Sequence, residues 1–269
     1  MKKIFTLIIV AMALNLNAQQ FVSTTPQNRN VVIEEFTGIN CPNCPDGHVV
    51  ANNIMDAYPG RVWAVNIHAG NYAPMYYPNF NTTDGTAIYY GFNVTGFPQA
   101  VVNRSTDHGI GRTDWETYTN QQIEQTAECN IGGQVIIDPE TRTATINVEI
   151  YYVSNSAAST NYLNVIMLED DIIGPQANGH TNPSQYINGQ YHHNHVFRDA
   201  VTSTWGDAIS PTTAGSLISK TYTYNIPETV GTPNGTSVNI NNVSFLVFVT
   251  EQYQGTPTRP ILNANELSS

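Results

Sequence analysis

An α/β unit followed by an all-β sandwich is the architecture this sequence predicts. Three observations lead to it. Between residues 29 and 128, short apolar runs alternate with stretches of helical periodicity. From 129 to 269 the helical pattern stops, and short alternating runs separated by turn residues replace it. Ahead of both stands MKKIFTLIIVAMALNLNA, a basic start and a short apolar run closing on small and polar residues, which reads as an export signal over residues 1–18.

The elements follow in order. The signal is too short for a bilayer span, which takes about 20 apolar residues, and residues 19–28 read as a linker. VVIEEF is a buried strand, and Cys44 to Tyr58 a helix stopped by Pro59-Gly60. RVWAVNIH, rich in β-branched residues, is a second strand. A loop rich in Asn, Pro and Tyr runs from Ala69 to Asn81. Thr83 to Phe92 is a short helix, with Thr83 or Asp84 as its cap. QAVVNR is the third strand and Asp107 to Gly111 a turn or short edge strand. Thr113 to Glu128 is a helix in which Thr113 and Glu116 have the spacing of a capping box.

Beyond residue 129, GGQVIID and TATINVEIYYV flank a hairpin turn at Asp138–Thr141. LNVIMLEDDII, HNHVFRDAV, ISKTYTYNI and VSFLVFVT continue the series, a pattern that fits a sandwich of immunoglobulin-like type. Two connections, Gly174 to Gln190 and Thr202 to Gly215, are longer than hairpin loops and therefore candidates for a functional role.

The formal net charge is -11, and the signal contributes two lysines and no acid, so the exported chain is more acidic still. Such a surface repels nucleic acid and anionic lipid. The expected location is the periplasm or the outer membrane and cell surface. No cofactor motif is present.

Cys41-Pro42-Asn43-Cys44 lies between the first strand and the first helix. Backbone N–H groups free at a helix start favour a thiolate at Cys41, and Cys44, one turn on, is placed to resolve a mixed disulfide. Pro42 there sacrifices no helical hydrogen bond. Glu35, six residues earlier, would relay a proton if burial raises its pKa, and would be a plain solvent-facing carboxylate otherwise. An inert disulfide and half of a metal site remain open for the pair. The metal reading would take His48 as third ligand and lacks a fourth; His48 reads more simply as a surface histidine. His193 and His195, on one face if their segment is a strand, are weak metal candidates, as is Asp170-Asp171 for calcium. Cys129 reads as a buried free thiol. The Tyr-rich loop from Asn71 to Phe80 reads either as the lining of a peptide groove or as a packing seam with the sandwich, the seam being preferred.

VVIEEFTGINCPNC followed by GFPQAVVN resembles the thioredoxin fold over about residues 29–128. That resemblance implies Cys41 as nucleophile, Cys44 as resolving cysteine, Glu35 as buried acid and Pro98 as the cis proline that presents backbone to a substrate strand. It departs from the pattern at Asn40, where thioredoxins usually carry Trp. With YHHNHVFRDAVTSTWGDAI and the following strands, the chain also resembles the outer-membrane-protein-28-related family of exported Gram-negative proteins. Two functions follow as expectations: thiol–disulfide exchange on protein thiols or disulfides, or a non-catalytic, adhesin-like surface module in which the disulfide is a staple.

Overall fold

The computed structural model describes residues 20–251 and 259–267; the export signal lies outside them. The chain begins with β1 (Val31–Thr37), α1 (Cys44–Ala57), β2 (Val62–His68), α2 (Thr83–Gly91), β3 (Gln99–Val102), β4 (Ile110–Gly111) and α3 (Trp115–Ile123). Strands then follow, with no further α-helix among the described residues: β5 (Cys129–Asp138), β6 (Thr143–Tyr152), β7 (Asn161–Glu169), β8 (Ile172–Gly174), β9 (Tyr186–Ile187), β10 (Gln190–His193) and β11 (Val196–Ala200). Last come β12 (Asp207–Ile209), β13 (Leu217–Asn225), β14 (Thr229–Val230), β15 (Thr236–Ser237), β16 (Val243–Thr250) and β17 (Ile261–Leu267).

One large mixed sheet organises the molecule, in the order β17-β16-β7-β11-β2-β1-β3-β4, with β12 also on β7. The sequence suggests an α/β unit and a separate sandwich, with no sheet in common; instead a single sheet passes through both halves. The joint is β2 with β11, parallel and in register at Asn66 and Val196. Asn66 secures it by donating twice, from its backbone N–H to the His195 carbonyl (2.7 Å) and from Nδ2 to the Asn194 carbonyl (2.7 Å).

β1 shows why both faces of this sheet are covered. All seven of its residues are buried, and alternation sends successive side chains to opposite sides. Val31 and Ile33 join the core under α1 and α3, with Ala51, Ile54 and Trp115. Val32 and Phe36 join a second core with Ile88 and Phe92, from α2 and the residue after it, and Leu246 and Phe248 of β16. Glu34 points into that second core and is met by Arg104, whose Nε and Nη2 donate to the carboxylate at 2.7 Å each. The guanidinium lies over the rings of Phe248 (5.0 Å), Trp205 (5.4 Å) and Phe92 (5.8 Å).

At the other end of the large sheet, an antiparallel sheet β13-β6-β5 packs as a second layer. Val135, Ile146, Val148 and Ile150 face Leu163, Val165, Met167 and Val247 there. A sandwich is thus present, but one of its layers is the continuation of the N-terminal sheet. Local details also differ from expectation. The cap of α2 is Thr82, whose Oγ1 accepts from the Gly85 N–H at 2.9 Å. No capping box forms at α3: Asp114 holds the cap position without a side-chain bond, and the helix ends at Ile123. β17, unremarkable in sequence as ILNANEL, completes the sheet beside β16.

Candidate functional site

After β1 the chain turns at Gly38, whose backbone lies so close to the Tyr72 peptide that an added Cβ would come within 2.4 Å of it. Asn40 N–H donates to the Tyr72 carbonyl (3.0 Å) and Cys41 N–H to the Gly38 carbonyl (3.0 Å). This turn delivers Cys41 to the start of α1, where it is disulfide-bonded to Cys44 across a Cα–Cα distance of 5.4 Å. Pro42 and Asn43 at the tip are exposed. The cysteines are not: Cys41 is 1% exposed and Cys44 0%.

Glu35 lies on the α1 side of β1, fully buried, and neither carboxylate oxygen has a hydrogen-bond partner. Desolvation holds its pKa well above the usual carboxylate value of 4.5, with Arg112 opposing only in part. The alternative of a water-facing carboxylate is thereby corrected. Gly47, one turn past Cys44, is where Glu35 and Pro98 converge on α1. A Cβ there would lie 2.6 Å from Glu35 Oε1 and 2.8 Å from Pro98 Cγ. The Phe97–Pro98 peptide is cis.

His48 is no surface residue: at 2% exposure it sits beside Glu35, Nε2 to Oε1 3.7 Å, and 3.1 Å from Thr37 Oγ1. Burial pulls its pKa down to about 3, with His193 and His195 adding to the effect. With the acid raised and the imidazole lowered, the contact is between two neutral groups and not an ion pair. The Nδ1 atom of His48 is 2.6 Å from the Tyr191 hydroxyl. Beyond Tyr191 come His193 and His68, whose rings pack edgewise on each other (5.6 Å) and on Phe80 (4.9 Å each). His193 Nε2 lies 3.2 Å from the Pro175 carbonyl, while both ring nitrogens of His68 lack partners. Burial lowers both, His193 to about 4 and His68 well below 6.5.

What encloses the cysteines is the long connection from Gly174 to Gln190. Ala177 N–H donates to the Ile39 carbonyl (2.8 Å), Gln176 Nε2 to the Cys41 carbonyl (2.9 Å) and Asn178 Nδ2 to the Pro42 carbonyl (3.3 Å). The length of this segment marks it in the sequence; its docking on a motif some 135 residues earlier does not show there.

The other sequence candidates fare differently. His193 ends β10, and His195 lies outside any strand with φ 55°, so the two do not share a strand face. His192 and His195 pair instead with Asp171 and Asp170, the latter accepting from His195 N–H at 2.5 Å. Among the described residues no group of three or more His, Cys, Asp or Glu is arranged to hold a metal ion. Cys129 is buried and free, its thiol pKa raised by desolvation. The Tyr-rich loop is a seam only in part: Tyr72, Met75, Tyr76 and Tyr77 are exposed, whereas Ala73, Asn79 and Phe80 are buried.

Residues 85–259 match the model of the family described as Outer membrane protein Omp28. The chain belongs to the Omp28 family. As an Omp28 protein it is exported, to the outer membrane or cell surface; among the described residues no helix is long and apolar enough to cross a membrane. Its fold recurs in HBP35 of Porphyromonas gingivalis, with a TM-score of 0.69 at 18% identity over 90% of this chain and 76% of that one. A protein of Agrobacterium tumefaciens is also similar, with a TM-score of 0.57 at 13% identity over 90% of this chain and 95% of that one. No curated protein matches this Omp28 chain.

Proposed function

We propose that this Omp28 protein carries out thiol–disulfide exchange with protein partners through a thioredoxin-like centre made of Cys41, Cys44, Glu35 and Pro98. One observation carries the reading: Glu35 is buried beside α1 without a hydrogen-bond partner. A staple needs no such group, and an orphaned buried carboxyl costs stability wherever it has no task. Held neutral, Glu35 has a proton to give.

The pair is oxidised in this structure. A partner thiolate attacks Cys41 Sγ, the Cys41–Cys44 bond breaks, and Cys44 leaves as a thiolate that takes the proton held by Glu35. A second partner thiolate then attacks the mixed disulfide and releases Cys41. The partner ends with a disulfide, and the cysteine pair has gained two electrons. The reverse sequence reduces a partner disulfide.

A second reading, the disulfide as a staple in a surface-binding module, is favoured by the near-zero exposure of both cysteines. Partner trapping separates the two. With Cys44→Ala in the exporting cell, partners are expected to accumulate as reductant-sensitive adducts on Cys41, absent with Cys41→Ala/Cys44→Ala. Adducts no more abundant than in the double variant would leave the staple as the function of the pair.

A further inference from the structure

We propose that residues 174–190 are a displaceable cover lying in the groove where an extended polypeptide segment is held against Cys41, with the Asn182–Tyr191 hydrogen bond as its latch. The identity of the occupant as a redox partner rests on the exchange reading above; the cover itself does not.

The contacts have the character of a bound peptide. Every hydrogen bond named between the cover and the cysteine turn is donated by the cover and accepted by main-chain carbonyls, those of Ile39, Cys41 and Pro42. Carbonyl acceptors read no particular side chain, so an extended segment offering backbone N–H groups can take the places of the one backbone and two side-chain donors that the cover supplies. The groove therefore suits an unfolded or extended stretch of protein, with sequence preference left to its side chains.

The cover is also built to leave. Between Pro175 and Gln190 the buried residues are Gly179, Asn182 and Gln185, none of them apolar, whereas Tyr186 and Ile187 are exposed. Lifting it loses hydrogen bonds that water or a partner can remake, and little apolar burial; segments of that kind open at low cost. Its ends are fixed by contrast. Ile172 is buried with Ile39, Phe80 and Val196, and Tyr191 and His193 are buried on the far side. Tyr191 binds both the cover and the floor: its hydroxyl meets Asn182 Nδ2 (3.2 Å) and His48 Nδ1 (2.6 Å).

Reduction of the disulfide by a water-soluble phosphine tests this in the full exported chain, because the reagent acts on any disulfide it can reach. The rate is compared with that of an oxidised Cys-Pro-Asn-Cys peptide in the same buffer. Wild type is expected to react at least tenfold slower than the peptide. Gln176→Ala/Asn178→Ala and, separately, Tyr191→Phe are expected to raise the rate about tenfold, with circular dichroism showing the fold retained. Wild type reacting as fast as the peptide overturns the proposal, and so do folded variants that react no faster than wild type. Should one variant fail to fold, the other decides. Accelerated variants together with an empty Cys44→Ala trap would leave the cover standing and remove the exchange reading.

Discussion

Glu34→Ala is expected to destabilise the protein by about 3–5 kcal/mol, the range for breaking a buried ion pair by removing one partner. Arg104 is 1% exposed, and among the described residues Glu34 is the carboxylate it bonds, through Nε and Nη2. Without Glu34 the guanidinium keeps its aromatic neighbours, Phe248, Trp205 and Phe92, but ring faces offset only part of a desolvated charge. Urea unfolding followed by circular dichroism measures the loss, and a thermal midpoint lower by about 10 °C is the matching signature. The double variant Glu34→Leu/Arg104→Leu should recover much of it, because apolar residues of similar volume often replace a buried pair without penalty. A Glu34→Ala protein with an unchanged urea midpoint would mean that Arg104 finds water, and the sealed core described here would be wrong.

Acid should destabilise the fold well above the pH at which exposed carboxylates titrate. His48, His68 and His193 are buried and neutral, with pKa values depressed below 6.5, to about 3 for His48 and about 4 for His193. In the unfolded chain all three charge as pH drops through 6.5. The unfolded state therefore binds more protons over this window, and the stability contributed by each histidine is complete above 6.5 and lost as pH falls, by about 1.4 kcal/mol per pH unit. Glu35 acts the other way. Its pKa is raised above 4.5, so its contribution is complete below 4.5 and is lost as pH rises. Facing these imidazoles are Glu35 from β1, Tyr191 from β10 and His195 just beyond it. Burial also raises Glu169, Asp199 and Glu251, which oppose the histidines in the same sense as Glu35. Their ordinary values lie at or below 4.5, so the histidines dominate at higher pH and a net loss of about 1–2 kcal/mol per pH unit is expected between pH 6.5 and 5. Denaturant midpoints at pH 7.5, 6 and 5 would show it. His68→Leu, which removes an imidazole with no hydrogen-bond partner, should flatten the slope by one proton. A midpoint constant from pH 7.5 to 5 would contradict the buried, neutral cluster.

The sequence reads well where one segment carries its own pattern. Apolar runs flanked by turn residues locate β1, β2, β3, β6, β7 and β16, and the Pro-Gly stop after α1 locates its end. It reads poorly where partners are remote. Nothing near Glu34 announces Arg104, 70 residues on, so VVIEEF shows two acids in a strand without showing that both are buried. His48 looks like a surface residue because the hydroxyl that encloses it belongs to Tyr191, 143 residues later. The candidate site was legible in its inner part, the cysteine pair with Glu35 and Pro98 nearby, since these belong to contiguous motifs. The cover was not, because its polar, small-residue composition is that of any surface loop. Helix caps also resisted reading: Thr82, Thr83 and Asp84 are all suitable caps, and only the path of the chain selects Thr82.

The seam between β2 and β11 bears on how the protein can be divided. A fragment ending at residue 128 would keep α1 to α3 and β1 to β4, yet β2 would become a border strand with the Asn66 amide turned to solvent. Open borders of this kind recruit other chains. Such a fragment should self-associate in solution more readily than the intact chain, in which β11 covers that border.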